Sequence, residues 1–146
     1  MCRIAEALLA QFDNAEAALL FPNGMAAIAA VFRAMPSGAT VLVQSQIYWG
    51  TTKWLREFCA RRSVTLIEAD LSDIVQAQSL CAHHQPDLVF VETPSNPWLR
   101  TTDITRVAAA THAVGGRLVV DAPAATPILR RASDVGAEMF MHSATK

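Results

Sequence analysis

Cysteine is scarce in this chain: Cys2, Cys59 and Cys81 are the only three, and none stands at a Cys-x-x-Cys spacing. An odd number without such pairing argues against a disulfide framework and for reduced thiols, small core residues of a cytoplasmic protein. Neither sign of charge predominates. Twelve Lys and Arg against thirteen Asp and Glu leave a net charge of -1, so no basic field exists to hold nucleic acid or an anionic membrane. No apolar run approaches the roughly 20 residues a membrane helix needs. The N-terminal stretch, interrupted by Glu6, Gln11 and Asp13, is too short and too broken for a signal peptide. A Gly-x-Gly-x-x-Gly or P-loop pattern is also lacking, which ranks a nucleotide-binding α/β module last among the function classes. There is no internal repeat, low-complexity tract or linker.

What is present is a chain of 146 residues, 52% hydrophobic, long enough for one domain with a substantial core. Ile4, Leu8, Leu9 and Phe12 recur at helical spacing, and the unbroken apolar run from Ala17 to Phe21 predicts a buried strand. Met25 to Met35 is apolar nearly all round, a helix covered on most sides and ended by Pro36-Ser37-Gly38. Strands are expected at Thr40 to Val43, Val64 to Glu68, Leu88 to Val91, Leu118 to Val120 and Met139 to His142. Helices are expected at Thr52 to Arg62, from a Ser72 cap to about His83, and at Ile104 to Val114 before Gly115-Gly116. Continuous apolar strands alternating with helices predict an α/β fold, a mostly parallel sheet covered on both faces. Ligands of such sheets sit beyond the carboxyl ends of the strands.

Several residues at those ends carry chemistry, each beside a plainer reading. The hydroxyls of Ser143 and Thr145 suit a phosphate while Lys146 suits condensation with an aldehyde; a solvated lysine is the plain alternative. Gly24-Met25, between a predicted strand and a helix, offers backbone N–H groups to an anion or is an ordinary turn. Tyr48 can stack on a flat ring or lie in the core. Asp121, after a buried strand, needs a cation; the plain account is a helix cap or an ion pair with an arginine such as Arg100. Asn96, between Pro94 and Pro97, offers an amide in a rigid turn, and Glu92 braces that loop rather than performing catalysis. Cys81, His83 and His84 lack a second ligand pair at metal spacing and read as a helix end favoured by the dipole, so no metal site is expected. Arg61-Arg62 closes a helix in the same way, and Arg130-Arg131 reads as solvated surface. His112 and His142 have no nucleophile at a recognisable motif, so no triad is expected.

Taken in order, Phe21-Pro22-Asn23-Gly24-Met25, Tyr48, Glu92-Thr93-Pro94-Ser95-Asn96-Pro97, Asp121 and Ser143-Ala144-Thr145-Lys146 resemble the Cys/Met metabolism family of pyridoxal-phosphate enzymes, the cystathionine synthases and lyases. The resemblance spans nearly all 146 residues. It implies a three-layer α/β/α fold, part of the large domain of the fold-type-I, aspartate aminotransferase-like transferases, with residues 1–146 lacking an N-terminal segment, the rest of the large domain and a C-terminal domain. It implies pyridoxal 5'-phosphate as cofactor, with Gly24, Met25, Ser143 and Thr145 on the phosphate, Tyr48 over the ring, Asn96 on the phenolate oxygen, Asp121 on the pyridine nitrogen, and Lys146 as anchor and proton carrier. The implied chemistry is elimination or replacement at Cβ or Cγ of small amino-acid substrates that contain sulfur or are O-acylated. The implied assembly is a homotetramer of dimers that share active sites. Trp49 replaces a family glycine, and Ala122-Pro123 replaces Asn-Thr. The family sheet runs 3-2-4-5-6-7-1, its seventh strand antiparallel and beyond the anchoring lysine. Ala17 to Phe21 would therefore lack its neighbour and Met139 to His142 would present a bare edge, so the isolated chain is expected to associate. A different expectation is a catalytically inactive, truncated remnant that at most binds cofactor weakly.

Overall fold

The computed structural model describes residues 2–129, 131 and 134–145. Its elements run α1 (Cys2–Asp13), α2 (Gly24–Arg33), β1 (Thr40–Gln44), α3 (Trp49–Arg62), β2 (Thr65–Ala69), α4 (Ile74–His84), β3 (Leu88–Glu92), α5 (Ile104–His112), β4 (Arg117–Asp121), α6 (Thr126–Leu129) and β5 (Met139–Met141). The five strands form one sheet in the order β2-β1-β3-β4-β5, every pair parallel.

Alternation along the strands separates two cores. Val41, Val43, Leu88, Phe90 and Val119 pack against Ile28 and Phe32 of α2 and Leu55 and Cys59 of α3. Leu42, Val89, Val91, Leu118 and Val120 pack against Ala77 and Cys81 of α4 and Ile104, Val107 and Ala108 of α5. With both faces covered, the central strands are apolar at successive positions, as buried parallel strands are. This is the expected α/β/α sandwich. Adjacent strands β1 and β3 are entered by connections running in opposite directions, β1 to β2 and then β2 back to β3. The switch point of the sheet therefore lies between them.

The run Ala17 to Phe21, expected as a buried strand, is neither strand nor buried. Leu19 is 74% exposed, and Leu20 and Phe21 are 40% exposed. A strand exists through its pairing; no strand among the described residues lies beside this segment, and its Leu20 N–H donates instead to the Glu6 carboxylate of α1 (3.0 Å). Other corrections are smaller. Asp73, not Ser72, caps α4, its carboxylate accepting from the amides of Val75 and Gln76. Ser72 instead donates to Asp70. The helix α3 begins at Trp49, ahead of Thr52, and α5 stops at His112, the chain turning through Gly115 at a φ of +78°. Cys59 and Cys81 are buried as expected, but Cys2 is exposed. Arg131 is exposed; Arg130 lies outside the described residues. No helix among the described residues is long and apolar enough to cross a membrane.

Candidate active site

The carboxyl ends of β1, β3, β4 and β5 lie along one edge of the sheet, and the residues singled out from the sequence follow them. Tyr48 comes after β1, Asn96 after β3, Asp121 ends β4, and Ser143 and Thr145 follow β5. A cleft of about 470 Å³ lined by Ile47, Tyr48, Trp49, Asn96, Pro97 and Trp98 opens between the loops after β1 and β3. That is the switch point, where ligands of open α/β sheets bind.

Glu92 builds this cleft. Its carboxylate, buried at the end of β3, accepts from the Tyr48 amide (2.7 Å) on the loop after β1. Burial pushes Glu92 upward from the usual carboxylate range, against the pull of the Tyr48 and Asn96 amides. The sequence marked the residue as a brace of its own loop. Its hold on Tyr48, far away in sequence, is visible only in the fold. The rest of the second loop is similarly pinned: Thr102 N–H donates to Thr93 Oγ1 (3.1 Å), Thr102 Oγ1 bonds to the buried Gln44 (3.3 Å), and Arg100 N–H donates to Ser95 Oγ (3.2 Å).

Tyr48 is the N-cap residue of α3, 37% exposed, its ring 5.8 Å from that of Trp49. The ring folds over Gly50. A Cβ there would stand 2.5 Å from Tyr48 Cε1, closer than atoms can pack, so Gly50 is what allows the ring its place. The sequence reading passed over Gly50, although a glycine following an aromatic pair at a helix start was the available signal.

Asp121 stands opposite Glu92 in the β3–β4 register. Burial pushes its carboxyl up to about 7, and the neighbouring charge of Glu92 adds to the rise. Arg100 does not pair with it: that guanidinium reaches Asp70 at 3.0 Å. Nor does Asp121 cap a helix, and among the described residues its carboxylate has no hydrogen-bond partner. A carboxylate held in this way is stabilised by an added cation, which is what a protonated pyridine nitrogen offers.

Two further groups suit an anion. Asn23 caps α2, its side chain accepting from the Ala26 amide (2.8 Å), while its carbonyl takes the Ala26 and Ala27 amides. Among the described residues the amides of Gly24 and Met25 have no acceptor, at the positive end of the helix dipole. A Cβ at Gly24 would meet nothing within 4 Å, so the approach is open. Met25 reaches the first turn of α3 through Thr51 Oγ1 (3.7 Å to its sulfur). Ser143 Oγ and Thr145 Oγ1 stand 2.9 Å apart, a pair of hydroxyls able to serve one acceptor. No hydrogen bond among the described residues joins them to Gly24, Met25 or Tyr48. Lys146 lies outside the described residues. Among the described residues no group of His, Cys, Asp and Glu is arranged to hold a metal.

A cleft at the switch point of the sheet, a carboxylate without a partner among the described residues and two groups suited to an anion are compatible with an aromatic, cationic, phosphorylated ligand. The model of the Cys/Met metabolism PLP-dependent enzymes matches residues 2–146, and the chain belongs to that pyridoxal-phosphate-dependent family. It is 35% identical over 145 residues to the chloroplastic mimosinase of Mimosa pudica, covering 97% of this chain and 32% of that protein. It is 34% identical over 144 residues to cystathionine gamma-synthase/O-acetylhomoserine (thiol)-lyase of Bacillus subtilis (strain 168), covering 99% of this chain and 38% of that one. A crystal structure of cystathionine gamma synthase from Xanthomonas oryzae pv. oryzae, in complex with aminoacrylate and cysteine, superposes with a TM-score of 0.93 at 33% identity, covering 99% of this chain and 37% of that one. The chain thus spans about a third of the length of the relatives it matches.

Proposed function

We propose that this chain is the cofactor-binding part of a large domain from an enzyme of sulfur amino-acid metabolism, a carbon–sulfur lyase or a γ-replacing transferase acting on substrates such as cystathionine or O-acylhomoserine. The observation that carries the reading is Asp121: half-buried at the ligand edge of the sheet and, among the described residues, without a hydrogen-bond partner, in a chain of a pyridoxal-phosphate-dependent family. When bound, that cofactor draws electrons from the substrate's α-carbon, the capacity on which elimination and replacement depend. Asp121 would pair with the ring nitrogen, Tyr48 would cover the ring, the Asn96 side chain would donate to its oxygen, and the amides of Gly24 and Met25 with the hydroxyls of Ser143 and Thr145 would hold the phosphate. Lys146 would be the anchoring amine and the group that carries protons between neighbouring carbons. Trp49 narrows the approach beside Tyr48, and Ala122, at the end of β4, leaves the ring nitrogen's surroundings less polar.

Dimers that share active sites, paired into tetramers, fit the family resemblance, and a cytoplasmic location fits the reduced cysteines; the relatives include chloroplastic enzymes as well. The decisive experiment is borohydride reduction of the protein loaded with pyridoxal phosphate, followed by peptide mass spectrometry. A pyridoxyl group on Lys146, absent from Lys146→Ala, is the expected result. Labelling retained by that variant overturns the assignment, and a protein that takes up little or no label supports instead the inactive remnant.

A further inference from the structure

The side-chain contact of widest sequence separation in the described chain, between Asp13 and His142, lies outside the roles assigned above. Asp13 is the last residue of α1, and His142 immediately precedes Ser143. His142 Nε2 stands 3.1 Å from Asp13 Oδ1 and 3.0 Å from Oδ2. A carboxylate can only accept, so Nε2 carries the hydrogen. Each side chain is only 12% exposed, unlike the exposed pairs Arg56–Glu68 and Arg100–Asp70. Nδ1 of the same ring is buried and, among the described residues, has no partner, so there the ring's polar attachment is to Asp13, with Phe140 against it at a centroid distance of 5.3 Å.

Among the described residues α1 is otherwise held by its contact with α6. Its Ile4, Leu8 and Phe12 are exposed, and 17–21 has no described strand beside it. The chain after α1 is folded back on the helix, through Ala15 N–H to the Ala10 carbonyl (2.9 Å) and Leu20 N–H to Glu6. It then enters the Asn23 cap that exposes the Gly24 and Met25 amides. We propose that the Asp13–His142 pair is a positioning latch, setting the Gly24–Met25 side of the phosphate cradle against the Ser143–Thr145 side and thereby determining affinity for the cofactor's phosphate. Asp13 and His142 touch no phosphate themselves; they act through the segments that do. This rests on the assignment of those four residues to the phosphate.

The test compares pyridoxal 5'-phosphate with pyridoxal, which has the same ring and no phosphate, by equilibrium binding to the chain. Asp13→Asn and His142→Asn should each weaken the phosphorylated form roughly tenfold and pyridoxal hardly at all, the double variant should lose no more than either single one, and Asp13→Glu should restore most of the difference. Equal weakening of both ligands, or of neither, overturns the latch. Ser143→Ala with Thr145→Ala separates the two assignments. If that variant keeps full preference for the phosphorylated form, the cradle itself is wrong; if it loses the preference while Asp13→Asn does not, only the latch is. Should the chain retain neither ligand, amide hydrogen exchange decides. Asp13→Asn should speed exchange at 14–27 and at 142–145 while β1 and β3 are unchanged, and a uniform increase or none overturns the proposal.

Discussion

The middle of the sheet and its β5 side are built from equally apolar sequence and end differently. In β3, Val89, Phe90 and Val91 have no exposed surface, for the strand is hydrogen-bonded on both sides and covered by helices on both faces. On the flank, β5 is three half-buried residues paired only to β4, and Ala17 to Phe21, as apolar as β3, is not a strand at all. Hydrophobic content states what a segment can do; a neighbour with free backbone groups decides whether it does. The proposed site sits across this contrast, with Tyr48, Asn96 and Asp121 beside the consolidated centre and Ser143 and Thr145 after β5, while Gly24 and Met25 follow the 17–21 segment.

The strongest way to break the comparison is to remove apolar volume from each region. Phe90 is fully buried and packs on Phe32 at a centroid distance of 5.6 Å, so Phe90→Ala should cost about 3–5 kcal/mol, the loss typical of a core aromatic. Phe12→Ala, at a residue 58% exposed, should stay within about 0.5 kcal/mol. Urea unfolding measures both. Similar losses would mean that the α1 face is packed after all.

The second effect is electrostatic and belongs to the centre. Asp121 holds its proton up to about pH 7 in the fold and to about pH 4 when unfolded. Between those values the native state binds more protons than the unfolded one, so stability falls as pH rises from about 4 to 7 and then levels; the total is on the order of 4 kcal/mol at most. Asp121→Asn should remove most of that slope and stabilise the cofactor-free chain at pH 7. A slope unchanged in the variant would place its origin elsewhere. A bound pyridinium should act in the same direction as the substitution, since it supplies the missing positive charge.

How much of this was legible beforehand follows the same division. The central strands could be read because burial on both faces leaves a continuous apolar run, as in Leu88 to Val91, and the place of Asp121 at the end of β4 could be read because such a run stops there. The helix caps were legible within a residue or two: Asp73 and Ser72 are both capping types, and only the geometry of Asp70, which takes the Ser72 hydroxyl, assigns them. Three features were not legible. The Glu92 carboxylate takes the Tyr48 amide, the Tyr48 ring rests on Gly50, and Asp13 meets His142; the first and last are contacts between segments that only the folded chain brings together. The Ala17 to Phe21 strand was misread for the converse reason, since its apolar pattern is real and its partner is absent from the described residues.

The smallest effect on stability is expected at that misread segment, and it sharpens the comparison most. Leu19 is 74% exposed, so Leu19→Lys removes almost no buried surface and should shift the urea midpoint by the equivalent of no more than about 0.5 kcal/mol. Its effect should instead be on association. An exposed apolar segment outside the sheet, in a chain whose β5 is paired on one side only among the described residues, invites pairing between copies, and a charge on such a segment is a common means of blocking it. Light scattering across a concentration series should therefore give a mass that rises with concentration for the natural sequence and rises less for Leu19→Lys. A monomer at all concentrations in both, with 17–21 protected from amide exchange as well as β3 is, would mean that the flank is as consolidated as the centre and that the segment has found a partner within its own chain.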